Sequence, residues 1–351
     1  MSGGKTERLN GMEGVARAAE ILRGGGIVAF PTETVYGLGA NALDPQAVAK
    51  IFAAKERPGW DPLIVHVADR AMVAQVASVP ASMTRQVEEL MASFWPGPLT
   101  LLLPRTPAVP DSVTAGRPLV GVRMPGHELA LTLIREAGVP LAAPSANRFG
   151  RTSPTTAAHV LEDLDGRIDA VLDGGATSVG VESTVIGRSE ASSGWVMYRP
   201  GGVSVEELES VASVGTVEVF RPAELTQTPE SLPSPGVGIR HYAPRARLVL
   251  VFEPSRKRVS ARSSLVEVID ALPEPPEQVG VMLPDGWNAS YAPVVYRWGA
   301  WGDGETLARR LFAGLRELDE RGAKVIVCPV PEMDGIGEAM RDRLRKAARE
   351  K

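Results

Sequence analysis

Short apolar runs alternate with amphipathic stretches up to about residue 210, the pattern of an α/β domain. The runs at Ile27–Phe30, Leu63–Val67, Leu99–Leu103, Leu119–Arg123, Pro140–Ala143, Ala170–Leu172, Ser183–Ile186 and Trp195–Tyr198 predict strands. They are short, because Pro or Gly borders many of them. Asp44-Pro45 reads as an N-cap and first-turn proline, after which Val48, Ile51 and Phe52 form an i, i+3, i+4 stripe that Arg57-Pro58 stops. Helices are also predicted over Met83–Ser93, Glu128–Glu136, Ala157–Leu164 and Val205–Val211. From 212 to 245 prolines crowd the chain (Pro222, Pro229, Pro233, Pro235, Pro244) and predict an extended connector with little helix or sheet. Beyond it, strands at Leu248–Phe252, Val279–Leu283 and Val325–Cys328 and helices over Thr306–Arg321 and Glu338–Glu350 predict a second, smaller α/β domain. The expected division is 1–211, 212–245 and 246–351.

Composition narrows the function. A chain of 351 residues, 44% apolar and 23% charged, has room for about two domains. A net charge of −4 argues against gripping nucleic acid by bulk electrostatics, leaving only a local basic pocket. The single cysteine, Cys328, excludes an intrachain disulfide, and with four scattered histidines it supplies no structural zinc site. A reducing cytoplasm is the expected home. No apolar run has membrane-spanning length, and Lys5, Glu7 and Arg8 interrupt any signal-peptide core.

The familiar phosphate-binding, zinc-protease and serine-hydrolase motifs are absent. Gly24-Gly25-Gly26, Gly37-Leu38-Gly39 and Gly174-Gly175 lack dinucleotide-binding spacing and, taken singly, predict turns. Polar residues instead gather beside strands: Thr32-Glu33-Thr34, Pro144-Ser145-Ala146-Asn147 and Ser183-Thr184. Such groups either line a ligand crevice or close strands through local backbone bonds. Lys55 and Arg57, read alone, answer the negative end of a helix dipole. Arg123 closes an apolar strand and needs an anion, either a ligand carboxylate or an internal Asp or Glu. His66, inside the run Leu63–Val67, reads alone as a core histidine.

Taken together, Phe30-Pro31-Thr32-Glu33-Thr34-Val35-Tyr36-Gly37-Leu38, Lys55-x-Arg57-Pro58, Pro62–His66, Trp95-Pro96-Gly97-Pro98-Leu99-Thr100, Val122–Pro125, Ala143–Asn147 and Val181–Thr184 stand in the order found in YrdC-like threonylcarbamoyl-AMP synthases. The resemblance covers about residues 15 to 205. Gly236–Pro244 and Gly335–Met340 resemble the longer, two-domain type. The resemblance implies a YrdC-like twisted open-sheet domain, a Pro-rich linker and a smaller Rossmann-like α/β domain. It also implies a reaction, in which L-threonine and bicarbonate or CO2 give a carbamate that attacks the α-phosphate of ATP and expels pyrophosphate.

By the same resemblance, Thr34, His66, Arg123, Ala143 and Ser183 line the threonine site. Arg57, Asp61, Leu119, Ser145, Ser153, Arg199 and Tyr242 surround ATP, and Lys55, Arg57, Ser145 and Asn147 form the K-x-R…S-x-N signature of the catalytic centre. Asp61 departs from the family pattern, since a carboxylate repels phosphates, and Asp342 stands where an asparagine is expected. The residue chemistry agrees with this assignment: Arg123 has the fork a carboxylate takes, and Lys55 and Arg57 can neutralise a triphosphate without a P-loop. Mg2+ is expected to arrive with ATP, for want of an acidic cluster. Arg240, His241 and Tyr242 are expected to form a lid hinged at Gly236 and Gly238. The product is expected to pass to the machinery that modifies the adenosine beside the tRNA anticodon, with weak tRNA contact at most, no membrane, and a monomeric chain. The alternatives are an RNA-binding YrdC-like module without adenylating activity and a carbamoyl-transfer domain of a hydrogenase-maturation protein.

Overall fold

The structure is a computed structural model that describes residues 5–189, 194–221, 231–232, 234, 241–252, 261–288 and 294–349. It divides into two compact units. The first comprises Met1–Phe149, Pro154–Ser178 and Glu182–Gly238; the second comprises Gly150–Ser153, Val179–Val181 and Ile239–Lys351.

The first unit is built on a mixed sheet of β1 (Glu7–Asn10), β2 (Val28–Phe30), β3 (Gly37–Asn41), β4 (Ile64–His66), β5 (Leu99–Pro104), β6 (Leu119–Arg123), β7 (Leu141–Ala142), β8 (Ala170–Asp173), β9 (Thr184–Arg188), β10 (Trp195–Arg199) and β11 (Val217–Val219). Their spatial order is β1-β8-β2-β3-β7-β4-β6-β5-β9-β10-β11. Between them run α1 (Val15–Arg23), α2 (Pro45–Lys55), α3 (Arg70–Val76), α4 (Thr84–Phe94), α5 (Asp111–Thr114), α6 (Glu128–Ala137), α7 (Ala157–Leu164) and α8 (Val205–Glu209). Their apolar faces join the strands in one core that includes Leu22, Ile51, Leu90, Leu133 and Val160.

The reading of α2 holds in detail. Asp44 accepts the Gln46 amide at 2.8 Å, Pro45 opens the helix, and Glu56, at φ 55, ends it in the left-handed region. Gly37-Leu38-Gly39 is not a turn but the first half of β3. Both glycines pack flat against the Phe30 ring, and a Cβ on Gly39 would stand 2.7 Å from that ring's edge. Here glycine provides close approach within a sheet rather than a positive φ. By contrast Gly25 (φ 76) does sit in a turn, and Gly175 (φ 81) lies in the loop after β8.

The stretch after residue 211 contains more order than its prolines suggest. Residues 213–221 lack proline, and Val217–Val219 pairs in parallel with β10 as β11. Further along, the Leu232 amide donates to the Trp60 carbonyl at 3.1 Å and the Leu232 side chain is buried. Gly236, Gly238 and Arg240 of the expected lid lie outside the described residues.

The second unit carries β12 (Arg247–Val251), β13 (Val279–Pro284), β14 (Val294–Gly299) and β15 (Val325–Pro329), all parallel, in the order β12-β15-β13-β14. Helices α9 (Ala261–Asp270), α10 (Gly304–Glu320) and α11 (Ile336–Ala347) complete this Rossmann-like layer arrangement. Parallel strands need crossovers, and α9 and α10 supply those from β12 to β13 and from β14 to β15. The Gly150–Ser153 piece is held by the Ala243 amide on the Gly150 carbonyl at 2.9 Å, and Arg316 donates to the Thr152 carbonyl. Gly180 (φ 81) lies so close to α10 that a Cβ there would meet Arg309 Cα at 2.4 Å. Among the described residues no helix is long and apolar enough to cross a membrane.

Candidate active site

Most of the site residues expected from the sequence lie in three groups of buried polar side chains in the first unit. The first surrounds Arg123 at the end of β6. Parallel pairing of β4 with β6 sets His66 beside Arg123, and His66 meets Phe30 edge-on at 6.1 Å. The Arg123 guanidinium donates from Nε to the Gly97 carbonyl at 3.1 Å and from Nη1 to Thr34 Oγ1 at 3.0 Å. Its Nη2 lies 2.6 Å from Glu33 Oε1. The two groups form a buried ion pair, and the other Glu33 oxygen, Oε2, has no hydrogen-bond partner in the protein. Burial, and next the Arg123 charge, push the His66 pKa down to about 3, so the imidazole is neutral near pH 7.

The loop after β2 makes this contact possible. Thr32 Oγ1 takes the local role, accepting the Thr34 and Val35 amides at 3.2 and 3.3 Å and donating to the Val35 carbonyl at 2.6 Å. With Thr32 holding the turn, Thr34 and Glu33 are delivered to Arg123, which lies four strands along from β2 in the sheet order. Arg123 therefore has the internal acidic partner that the sequence offered as one of its two readings. Glu33 stands ninety residues from Arg123 in the chain, so no local pattern signals the pair.

The second group is the K-x-R…S-x-N set. The Lys55 ammonium, 1% exposed, donates to the Ser145 carbonyl at 2.5 Å and to the Asn147 carbonyl. Burial first, then Arg57, pushes its pKa down, while Asp163 and Asp61 act in the opposite direction. Lys55 thus ties the end of α2 to the loop following β7, which other backbone bonds also fix: the Ala146 amide to Tyr36 O at 2.8 Å, and Gly37 in a bridge with Ser145. Ala143, just past β7, donates its amide to Ile64 O at 2.9 Å. Asn147 Nδ2 donates to the Arg148 carbonyl at 2.8 Å.

Arg57 pairs with Asp61 at 2.9 Å, both side chains at most 4% exposed, and it also donates to the Asp61 and Pro62 carbonyls. Asp61 is therefore the counter-ion of Arg57. Its departure from the family pattern has a structural role within the loop, and the expected phosphate repulsion is neutralised at source.

The third group surrounds Ser183. Its hydroxyl bonds Thr100 Oγ1 at 2.8 Å, and Arg199 donates to the Ser183 carbonyl at 3.0 Å and to its hydroxyl at 3.2 Å. The Trp95–Pro98 loop joins this group to the first: Gly97 O accepts Arg123, and Pro98 O accepts the Thr184 amide at 2.9 Å. Leu119, at the start of β6, is half-buried against Ile64, Leu102 and Val185.

Ser153 and Tyr242 belong to the second unit. Ser153 is fully buried. Tyr242 sits at φ 64, with its ring stacked on Phe312 at 5.8 Å, the Arg343 guanidinium over it at 5.1 Å, and His241 edge-on at 4.2 Å. Asp342 bonds both Arg343 and Lys346, at 2.6 and 2.8 Å. Among the described residues, no group of three or more His, Cys, Asp or Glu side chains converges to hold a metal.

This is an open α/β sheet of the YrdC-like class with a second parallel α/β unit behind it in the chain. A family model described as "Telomere recombination" (Sua5, YciO, YrdC) matches residues 20–201, and one described as "Threonylcarbamoyl-AMP synthase, C-terminal domain" matches residues 203–349. The threonylcarbamoyl-AMP synthase of Pyrococcus abyssi is 44% identical over 94% of this chain and 93% of its own length. That of Bacillus subtilis is also 44% identical, over 95% and 92%. The crystal structure of P. abyssi Sua5 complexed with L-threonine matches with a TM-score of 0.86 at 42% identity, covering 98% of this chain and 97% of that one. The chain belongs to the threonylcarbamoyl-AMP synthase family.

Proposed function

We propose that the protein is an ATP-dependent nucleotidyltransferase that makes L-threonylcarbamoyl-AMP from L-threonine, bicarbonate or CO2, and ATP, releasing pyrophosphate. The observation that carries this reading is the buried Arg123 group, a cation paired with Glu33 and flanked by Thr34 and His66. Family membership and the L-threonine complex of a 42% identical relative support it.

In this reading Arg123 receives the threonine carboxylate, and Thr34, His66, Ser183 and the main chain at Ala143 surround its amine and hydroxyl. A site that hydrogen-bonds the hydroxyl rejects amino acids lacking it, because its buried polar groups would otherwise stay unpaired. In the first unit Arg57, Ser145, Asn147, Leu119 and Arg199 take the nucleotide, with Asp61 acting on ATP only through Arg57. Lys55 acts as a positioning residue, because its ammonium fixes the Ser145 and Asn147 backbone. Catalysis then consists of orientation and electrostatic stabilisation at the α-phosphate, with no nucleophilic side chain. Mg2+ is taken to enter the site on the phosphates of ATP. The product is an activated carbamoyl group for tRNA modification, made by a monomer; the molecular mass in solution tests the latter.

The deciding experiment measures pyrophosphate release from ATP with and without L-threonine and bicarbonate. Release that requires both is expected. Threonine-independent release, or tight tRNA binding with no release, would overturn the reading.

A further inference from the structure

Glu33 and Arg123 form a buried ion pair, and the second carboxylate oxygen, Glu33 Oε2, has no hydrogen-bond partner in the protein. Buried polar groups are almost always satisfied, so that oxygen marks a place for a polar ligand. The charges there are specific. A guanidinium nitrogen and a carboxylate oxygen stand 2.6 Å apart, at 4% and 8% side-chain exposure. An α-amino acid carries the complementary arrangement, a carboxylate next to an ammonium on one carbon. A zwitterion with its carboxylate on Arg123 brings its ammonium within reach of Glu33.

Resting on the synthase reading above, we propose that Glu33 is a catalytic residue that holds the α-ammonium of threonine and accepts its proton when the carbamate forms. The ammonium transfers one proton to the Glu33 carboxylate, leaving a free amine and a neutral Glu33. The amine nitrogen then forms its C–N bond to bicarbonate carbon, and the elements of water leave, giving the carbamate anion. Glu33 afterwards returns its proton to solvent.

The other candidate base is His66, whose pKa near 3 makes it a poor acceptor at neutral pH. The charged and titratable groups that face Glu33 are Arg123 from β6 and His127 before α6, with His66 of β4 beside Arg123. The Glu33 main-chain carbonyl accepts from Ser178 Oγ at 3.5 Å.

Glu33→Gln keeps the shape and removes the proton acceptor. It should lower kcat/KM for threonine by on the order of 10²-fold or more near pH 7, with recovery as rising pH supplies free amine. Glu33→Asp should run slower with the pH profile of the native chain. Binding gives a second readout: the native chain should prefer L-threonine to its 2-hydroxy analogue, which lacks the ammonium, and Glu33→Gln should lose that preference. A Glu33→Gln chain with an unaltered pH profile, or with the native binding preference, overturns the assignment. If the native chain releases no pyrophosphate, the synthase reading fails separately, and the binding preference still decides the role of Glu33.

Discussion

Lys55 and Arg123 are both cations buried to within 3% of full enclosure, and the sequence marks both as ligand-binding candidates, yet their surroundings differ. Lys55 is committed to two backbone carbonyls, and its neighbour Arg57 to a carboxylate and two more carbonyls. Arg123 satisfies Nε and Nη1 on a carbonyl and a hydroxyl and pairs Nη2 with Glu33, whose second oxygen has no donor in the protein. A buried cation can therefore be an architectural tie or a recognition group. The distinction lies in the hydrogen-bond accounting of its neighbours, not in its charge or depth.

The largest expected effect comes from removing the recognition group. Arg123→Ala leaves Glu33 buried without a counter-ion, which should cost about 3–5 kcal/mol in denaturant unfolding. The same variant should lower threonine-dependent pyrophosphate release on the order of 10³-fold. Near-native activity with an unchanged KM for threonine would erase the contrast with Lys55.

Lys55→Met tests the other side. It retains the apolar stem and removes the donor from two buried carbonyls, so a loss of about 2–5 kcal/mol is expected in the urea midpoint. Weaker ATP binding should accompany that loss as the Ser145–Asn147 loop loosens. An unchanged midpoint with abolished ATP binding would return Lys55 to direct phosphate contact.

The smallest effect is a pH dependence from His66. Its imidazole protonates near pH 6.5 in the unfolded chain but only near pH 3 in the fold. Between these values the unfolded state holds more protons, so stability is complete above pH 6.5 and falls as pH drops. The slope is about 1.4 kcal/mol per pH unit. His66→Gln should remove that part of the slope, read by urea unfolding at pH 7 and pH 5.5. A slope identical to that of the native chain would mean that His66 is not held neutral beside Arg123.

Much of the fold was legible because local chemistry and tertiary context agree. The Asp44-Pro45 cap, the α2 stripe and the β6 alternation ending on Arg123 all form where the pattern places them. The elements that local pattern misassigns have specific causes. β3 carries the glycines of Gly37-Leu38-Gly39, chosen by the Phe30 ring across the sheet, and β11 forms in a proline-free interval of a proline-rich stretch. Glu33 was visible only as one letter of a motif, since its partner is ninety residues away in sequence and four strands away in the sheet.

By itself the sequence determined the α/β class, the two-part organisation, and the inventory of chemistry: an arginine closing an apolar strand, a K-x-R at a helix end, hydroxyls beside strands. These follow from periodicity, capping and residue type, which are local properties. Only the tertiary structure decided which donors are satisfied internally. It committed Lys55 to the backbone, made Asp61 the partner of Arg57, and left Glu33 Oε2 without a donor beside Arg123. The physical reason is that satisfaction of a buried polar group depends on atoms brought together by strand order and register, to which no local pattern refers.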